Sequence, residues 1–169
     1  AIDPVRYIGN RSSGRMGFAL AEEAALRGAN VHLVAGPVAL RTDRPGIHRT
    51  DVVSAAEMAE ACRSLASACD AVIMSAAVAD FRPKRSADSK IKKGGGVLDI
   101  ELEPTEDIIA SLSAQRPAGQ VVVGFALETN NELAHAQDKL VMDGPPPLRI
   151  GSDGRYPIPE PGVKIDREY

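Results

Sequence analysis

Four short segments of this chain carry residues suited to holding a phosphorylated ligand. The first, Gly9-Asn10-Arg11-Ser12-Ser13-Gly14, is a loop of mostly small residues placed to open a helix. Backbone N–H groups at such a terminus, with the Ser12 and Ser13 hydroxyls, favour a phosphate. The same letters also read as a serine N-cap followed by a packing glycine. The loop is neither GxGxxG nor the GxxxxGK[ST] of a P-loop. The second segment is Gly36-Pro37. In the third, Ser75-Ala76-Ala77-Val78-Ala79-Asp80-Phe81, Asp80 follows an apolar run. It is either a turn former or a carboxylate accepting from an exocyclic amine or a ribose hydroxyl. In the fourth, Gly124-Phe125-Ala126-Leu127-Glu128-Thr129, Phe125 either walls a base pocket or belongs to the core.

The third segment runs into a basic stretch. Residues 82–93 hold six cations (Arg82, Lys84, Arg85, Lys90, Lys92, Lys93) against one anion, Asp88. Lys90-Ile91-Lys92-Lys93 followed by three glycines reads as a mobile cationic flap. Its ammonium groups would neutralise charge building on a pyrophosphate leaving group, and stay unpaired until a ligand binds. A solvated surface loop is the alternative. His32, His48 and His135 are scattered, and there is no CxxC, HExxH or nucleophile elbow. A zinc site and a hydrolase triad are therefore disfavoured. An NAD(P) reductase is weakened because no GxGxxG follows a strand.

Alternating elements would carry these segments. Residues 12–29 read as a helix with Met16, Leu20 and Ala24 on one stripe and Gly28 at its end. Residues 31–35 and 47–53 read as strands, and the Ser54–Glu57 capping box opens a second helix with Met58, Cys62, Leu65 and Cys69 inward. The run 71–74 suits a strand buried on both faces of a parallel sheet, as does 120–127. Residues 97–103 alternate as an edge or hairpin strand, and Thr105 is placed to cap a third helix reaching about residue 116. A fourth helix at 130–142 and a short strand at 148–150 complete the pattern. The result is an α/β domain, Rossmann-like and doubly wound, with a mostly parallel sheet and a basic flap. Ligands of such sheets bind at the carboxyl ends of the strands, where the four segments fall.

Composition narrows the function further. The 169 residues suit one domain, and 44% hydrophobic residues can build a core. Twenty Lys and Arg against 23 Asp and Glu leave a formal charge of −3, without the basic field of a nucleic-acid coat. With no Trp, three Phe and three Tyr, a base-stacking platform is equally disfavoured. Cys62 and Cys69 lie two helical turns apart and read as small buried side chains in a reduced protein. No apolar run approaches the ~18 residues of a membrane span and no signal-peptide pattern opens the chain, so a cytoplasmic location is the default expectation.

In this order the motifs resemble phosphopantothenoylcysteine synthetase, the ligase domain of the bacterial bifunctional coenzyme A enzyme. The resemblance is carried by Ile2-Asp3-Pro4-Val5-Arg6-Tyr7-Ile8-Gly9-Asn10-Arg11-Ser12-Ser13-Gly14, Met16-Gly17, Gly36-Pro37-Val38 and Ala76-Ala77-Val78-Ala79-Asp80-Phe81. It continues through Lys90-Ile91-Lys92-Lys93, Asp107-Ile108-Ile109, Val123-Gly124-Phe125-Ala126 and Glu128-Thr129-Asn130-Asn131, spanning residues 2 to about 140. It implies a homodimer with active sites near the subunit interface, acting on 4′-phosphopantothenate, cysteine and CTP. Mg²⁺ would be held mainly by the triphosphate, and a decarboxylase domain is often fused upstream. Carried over by position, the resemblance makes Asn10 and Lys90 catalytic. It sets Ser12, Ser13, Ser75, Ala76, Asp80, Phe81, Lys93, Glu106, Asp107, Ile108, Ile109, Phe125 and Lys139 on the nucleotide. Arg6 and Arg11 become candidates for the substrate phosphate.

The sequence departs from that pattern at its ends. The family carries a strand and a Gly-Gly-Thr loop ahead of the position of Ala1. Asp143 stands where a second basic residue follows Lys139, Ser152-Asp153 stand for an Asn-Asp pair, and the final helix has no counterpart. The organisation expected is a ligase domain over 1–150 without its first strand, then an irregular Pro- and Gly-rich tail over 151–169. The main functional expectation is a CTP-dependent acid–amine ligase. The alternatives are a nucleotide-binding paralogue without catalysis, a fragment completed by another chain, or a relative acting on a different acid.

Overall fold

The computed structural model describes residues 1–94 and 97–125. The expected helix at 130–142, the strand at 148–150, the tail and Lys139 lie outside the described residues. Ala1–Gly124 form one compact unit. Its elements in chain order are α1 (Arg15–Leu26), β1 (Val31–Ala35), β2 (Ile47–Asp51), α2 (Ala55–Ala66) and β3 (Ala71–Met74). They continue with β4 (Phe81–Pro83), β5 (Leu102–Pro104), α3 (Ile108–Ala114) and β6 (Val121–Gly124).

The strands join in pairs. β1 and β2 are parallel, with Val31 opposite Ile47 and Ala35 opposite Asp51, and β3 and β6 are parallel, with Ala71 opposite Val121. β4 and β5 are antiparallel, with Arg82 opposite Glu103. The fold is thus α/β, Rossmann-like and mostly parallel, but among the described residues the hydrogen bonding is that of three two-stranded sheets and not one continuous sheet.

Helices cover both faces of the β1–β2 pair. Phe18 of α1 lies under the Arg49 guanidinium, 5.3 Å from its ring centroid, on the face that Arg49 shares with Leu33. Val34 points the other way and packs with α2 and α3. That second face holds the main core, formed by Val52, Met58, Ala59, Ala66, Ile108 and Leu112, against which Val34, Val72 and Met74 also pack. The α2–α3 layer therefore touches β1 and β3, which share no hydrogen bonds with each other.

Several local expectations are corrected. In α1 the sheet-facing positions are Phe18 and Ala21, while Met16 is exposed, because the helix starts only at Arg15 and the larger aromatic takes the buried face. β3 and β6 are not covered on both faces: Val72 and Met74 pack on the core, but Ile73, Val121 and Val123 remain substantially exposed. The alternating stretch 97–103 pairs only from Leu102, since Val97 and Leu98 have no layer to bury against. Asp107, not Thr105, caps α3, its Oδ1 accepting from the Ala110 N–H at 3.0 Å. The α2 cap follows the sequence: Ser54 Oγ accepts from the Glu57 N–H at 3.2 Å, and Glu57 Oε2 accepts from the Val53 N–H at 2.7 Å. The Val53 N–H, and after it the Ser54 hydroxyl, hold the Glu57 carboxyl below its usual value.

Candidate active site

The start of α1 gathers three of the four segments that the sequence singled out, Gly9–Gly14, Gly36-Pro37 with Val38, and the Ser75–Val78 end of β3. Gly14 caps α1 in the left-handed conformation, φ +75°, which a glycine enters without steric cost. Gly14 itself has no side chain to cap with; Ser12 Oγ accepts from the Gly14 N–H at 3.2 Å and Ser13 Oγ from the Arg15 N–H at 3.5 Å, local turns that stand in place of the expected serine cap. A Cβ on Gly14 would stand 3.2 Å from Val38 Cγ1, so the loop after β1 abuts the helix start. One turn later, a Cβ on Gly17 would meet Ser75 Oγ at 2.9 Å, which brings the end of β3 to the same place. Asn10 completes the junction, its Nδ2 donating to the Val78 carbonyl at 2.9 Å.

The 105–109 segment joins from the other side. Thr105 Oγ1 donates to the Ala79 carbonyl at 2.6 Å and its N–H to the Asp80 carbonyl at 2.8 Å. That tertiary pull explains why Thr105 does not cap α3. Asp80 is exposed beside this staple, as is Phe81 at the start of β4. Glu106 pairs with Arg63 of α2 at 2.7 Å, and the guanidinium holds its carboxyl below the ordinary range. Ile109 packs so closely on Gly124 that a Cβ there would collide, so the end of β6 meets the start of α3. Phe125 follows β6 and is half exposed.

The basic stretch divides into two parts. Arg82 donates to Glu103 at 2.8 Å and Lys84 to Glu101 at 2.6 Å across the β4–β5 pair. These two cations are thus paired without a ligand, against expectation, because antiparallel pairing sets Glu103 opposite Arg82 and Glu101 beside Lys84. Lys90, Lys92 and Lys93 are exposed. The backbone between them is tied to the chain's first loop, where Ile91 N–H donates to Asp3 Oδ2 at 3.1 Å and the Ile91 carbonyl accepts from Arg6 Nη2 at 2.8 Å.

Asp3 is the residue that sequence reasoning passed over. It is 1% exposed, the most buried polar residue described. Its Oδ1 accepts from the Val5 and Arg6 N–H groups at 2.9 Å each, and its Oδ2 accepts from the Arg6 guanidinium as well as Ile91. The Arg6 guanidinium and these N–H groups hold the Asp3 carboxyl well below the usual carboxylate range. An Asp ahead of Pro signals a turn, but nothing local could reveal a partner 88 residues away. Arg11, Ser12 and Ser13 are exposed on the loop.

Among the described residues no three His, Cys, Asp or Glu side chains cluster to hold a metal ion, and no helix is long and apolar enough to cross a membrane. A cavity of about 70 Å³ lined by Arg63, Ala66, Leu112 and Gln120 lies beside the start of β6. There Gln120 Nε2 donates to the Ala66 and Cys69 carbonyls at 2.6 Å each, closing the end of α2.

These features define an α/β domain of Rossmann-like class whose candidate site lies at the carboxyl ends of β1 and β3, around the start of α1. The chain belongs to the DNA/pantothenate metabolism flavoprotein C-terminal domain family, whose model matches residues 1–144. It is 49% identical over 140 residues to the coenzyme A biosynthesis bifunctional protein CoaBC of Haemophilus influenzae, covering 83% of this chain and 35% of that protein. It is 54% identical over 139 residues to a cysteine/cysteine sulfinic acid decarboxylase of an unknown prokaryotic organism, covering 82% of this chain and 39% of that protein. The chain therefore spans well under half the length of these relatives. Among solved structures, the crystal structure of the C-terminal domain of a CoaBC protein superposes with a TM-score of 0.71 at 42% identity, over 82% of this chain and 64% of that one. A DNA/pantothenate metabolism flavoprotein of Streptococcus pneumoniae shares the fold at a TM-score of 0.71 and 21% identity, over 84% of this chain and 72% of that one.

Proposed function

We propose that this domain works in coenzyme A biosynthesis as a CTP-dependent carboxylate–amine ligase, joining 4′-phosphopantothenate to cysteine. The supporting observation is the convergence of Asn10, the Ser12–Ser13 loop and the Ser75–Val78 segment at the start of α1, with the Lys90 segment moored to the same loop. The similarity to CoaBC proteins supports the pathway. A carboxylate is a poor acyl donor until its oxygen becomes part of a phosphate leaving group. In the first step a carboxylate oxygen attacks the α-phosphorus of CTP, the bond to the bridging oxygen breaks, and pyrophosphate leaves. In the second, the cysteine amine attacks the acyl carbon, CMP leaves with the bonding pair, and the amine's proton is lost to give the amide.

The residues have separate tasks in this scheme. Asn10 Nδ2 carries two hydrogens. The one donated to the Val78 carbonyl orients the amide, leaving the other for the acyl oxygen of the cytidylate. Lys90 and Lys93 take up charge on the departing pyrophosphate. The Ser12 and Ser13 hydroxyls and the N–H groups before α1 face the phosphates, Asp80 and Phe81 the nucleoside. A magnesium ion suits this arrangement because it binds through phosphate oxygens and retained water, needing few protein ligands. The active unit is taken to be a homodimer in the cytoplasm, with any decarboxylase domain fused or separate.

A second reading draws on the relative named as a cysteine decarboxylase. The matched 139 residues are 39% of that protein, so its named chemistry can reside in the remainder while this domain ligates or only binds a nucleotide. The test supplies CTP, 4′-phosphopantothenate and cysteine and follows pyrophosphate and CMP. The wild-type chain should release both, Lys90→Gln should lose pyrophosphate release by about 100-fold or more, and Asn10→Ala should release pyrophosphate while retaining the acyl-cytidylate. CTP binding without CMP from any acid would replace the ligase with the binding reading, and carbon dioxide from cysteine would favour the decarboxylase.

A further inference from the structure

We infer that Asp3 is a positioning residue that sets where the lysine segment stands, acting through Arg6 and the backbone of Ile91. This rests on the ligase reading for what the lysines do, but the mooring itself is a property of the chain.

The argument begins with burial. Asp3 has a fully buried side chain, whereas a carboxylate is almost never buried unless paired and hydrogen-bonded. Its two oxygens serve different ends. Oδ1 closes the local turn by accepting from the Val5 and Arg6 N–H groups, assisted by the Ile2 N–H donating to the Arg6 carbonyl at 2.7 Å. Oδ2 faces outward from that turn and accepts from the Arg6 guanidinium and the Ile91 N–H. Arg6 in turn donates to the Ile91 carbonyl, so both polar groups of that peptide residue are taken. A second tie lies four residues earlier, where the Ala87 N–H donates to the Ile2 carbonyl at 2.9 Å.

The consequence for Lys90 is geometric. Gly-flanked and rich in lysine, the 90–94 stretch has no helix or strand of its own, and Ile91 is its one partly buried residue. Its backbone is located by the two ties to residues 2, 3 and 6. Those residues lead through Asn10 into the site, so the lysine is indexed to the same loop as the acyl-handling amide. Charge-assisted hydrogen bonds to a buried carboxylate are strong and directional, which suits them to holding a segment that packing cannot hold.

Asp3→Asn tests this selectively, because an amide oxygen in the Oδ1 place keeps the turn while an NH₂ in the Oδ2 place confronts two donors. The first measurement is hydrogen exchange of the Ile91 and Ala87 amides in the full 169-residue chain, with α2 amides as a folding control. The variant should exchange at Ile91 about 10-fold faster or more, with α2 unchanged. Equal exchange at Ile91 would overturn the mooring. If α2 also loosens, Arg6→Lys, which keeps the charge but not the fork, replaces it in the same comparison. The second measurement is CTP-dependent pyrophosphate release in a cycle with Lys90→Gln. Asp3→Asn should slow release by about 10- to 100-fold alone and add almost nothing in the Lys90→Gln background. Equal losses in both backgrounds would show that Asp3 does not act through the lysine. A wild-type chain that releases no pyrophosphate would defeat the ligase reading, and the exchange arm alone would then decide the mooring.

Discussion

Around α2 and α3, six buried apolar side chains meet (Val52, Met58, Ala59, Ala66, Ile108 and Leu112) and draw β1 and β3 under one layer. Across residues 1–14 and 79–94 the one buried side chain is Asp3, and it is charged. The first region is held by area removed from water, which is non-directional and tolerant of small shifts. The second is held by a few oriented hydrogen bonds, which are specific in position and vulnerable to loss of a single partner. The framework and the chemistry-bearing loops therefore answer to different perturbations, and each can be changed with the other as control.

The largest expected effect falls on the framework. Leu112 is 6% exposed and packs in the centre of the α2–α3 layer. Leu112→Ala should cost about 2–5 kcal/mol from lost transfer energy and the cavity left behind. Chemical denaturation would show this as a lower midpoint with an unchanged slope. At temperatures where the variant is still folded, Ile91 protection should be retained, since no Asp3 contact touches Leu112. Loss of Ile91 protection in parallel with α2 would mean that the two regions are one cooperative unit.

Acid should separate the regions from the other direction. The folded Asp3 carboxyl is held below its unfolded value, so the stability it confers is present above that value. It is lost progressively as pH falls below about 3.9, the ordinary aspartate pKa. Ile91 protection, taken relative to the intrinsic exchange rate at each pH, should therefore fall in step with Asp3 protonation and lose that step in Asp3→Asn. The α2 amides should instead follow the Glu57 cap and the Glu106–Arg63 pair, whose carboxyls are also held below their ordinary value. A single transition in which Ile91 and α2 amides lose protection together would collapse the distinction.

The same division explains what could be read from the letters. β1 is found at residues 31–35 and β3 at 71–74 as expected, and the Ser54–Glu57 box caps α2, because period, apolar runs and capping are local signals. The convergence of the Gly9–Gly14, Gly36–Val38 and Ser75–Val78 segments also followed, from the rule that loops gather at strand carboxyl ends. The failures are long-range. β4 has three residues and exists only through its pairing with β5, and Thr105 is diverted from capping by Ala79 and Asp80. The mooring of Ile91 needed a partner near the other end of the loop system. Single-residue chemistry could not show that Arg82 and Lys84 are already neutralised.

That neutralisation supplies the smallest expected effect. Lys84 and Glu101 are 49% and 66% exposed in their side chains, so their attraction is screened by water and offset by the entropy of holding two long side chains. Lys84→Met should change stability by no more than about 1 kcal/mol, and the difference should shrink as salt is raised. Nucleotide-dependent rates should change less still, because the Lys84 charge is spent on Glu101 and not on a ligand. If Lys84→Met instead slowed pyrophosphate release as much as Lys90→Gln, with denaturation unchanged, the β4–β5 pairing would have to open on binding. The basic stretch would then act as one six-cation surface, and its division into a structural pair and a working lysine segment would fail.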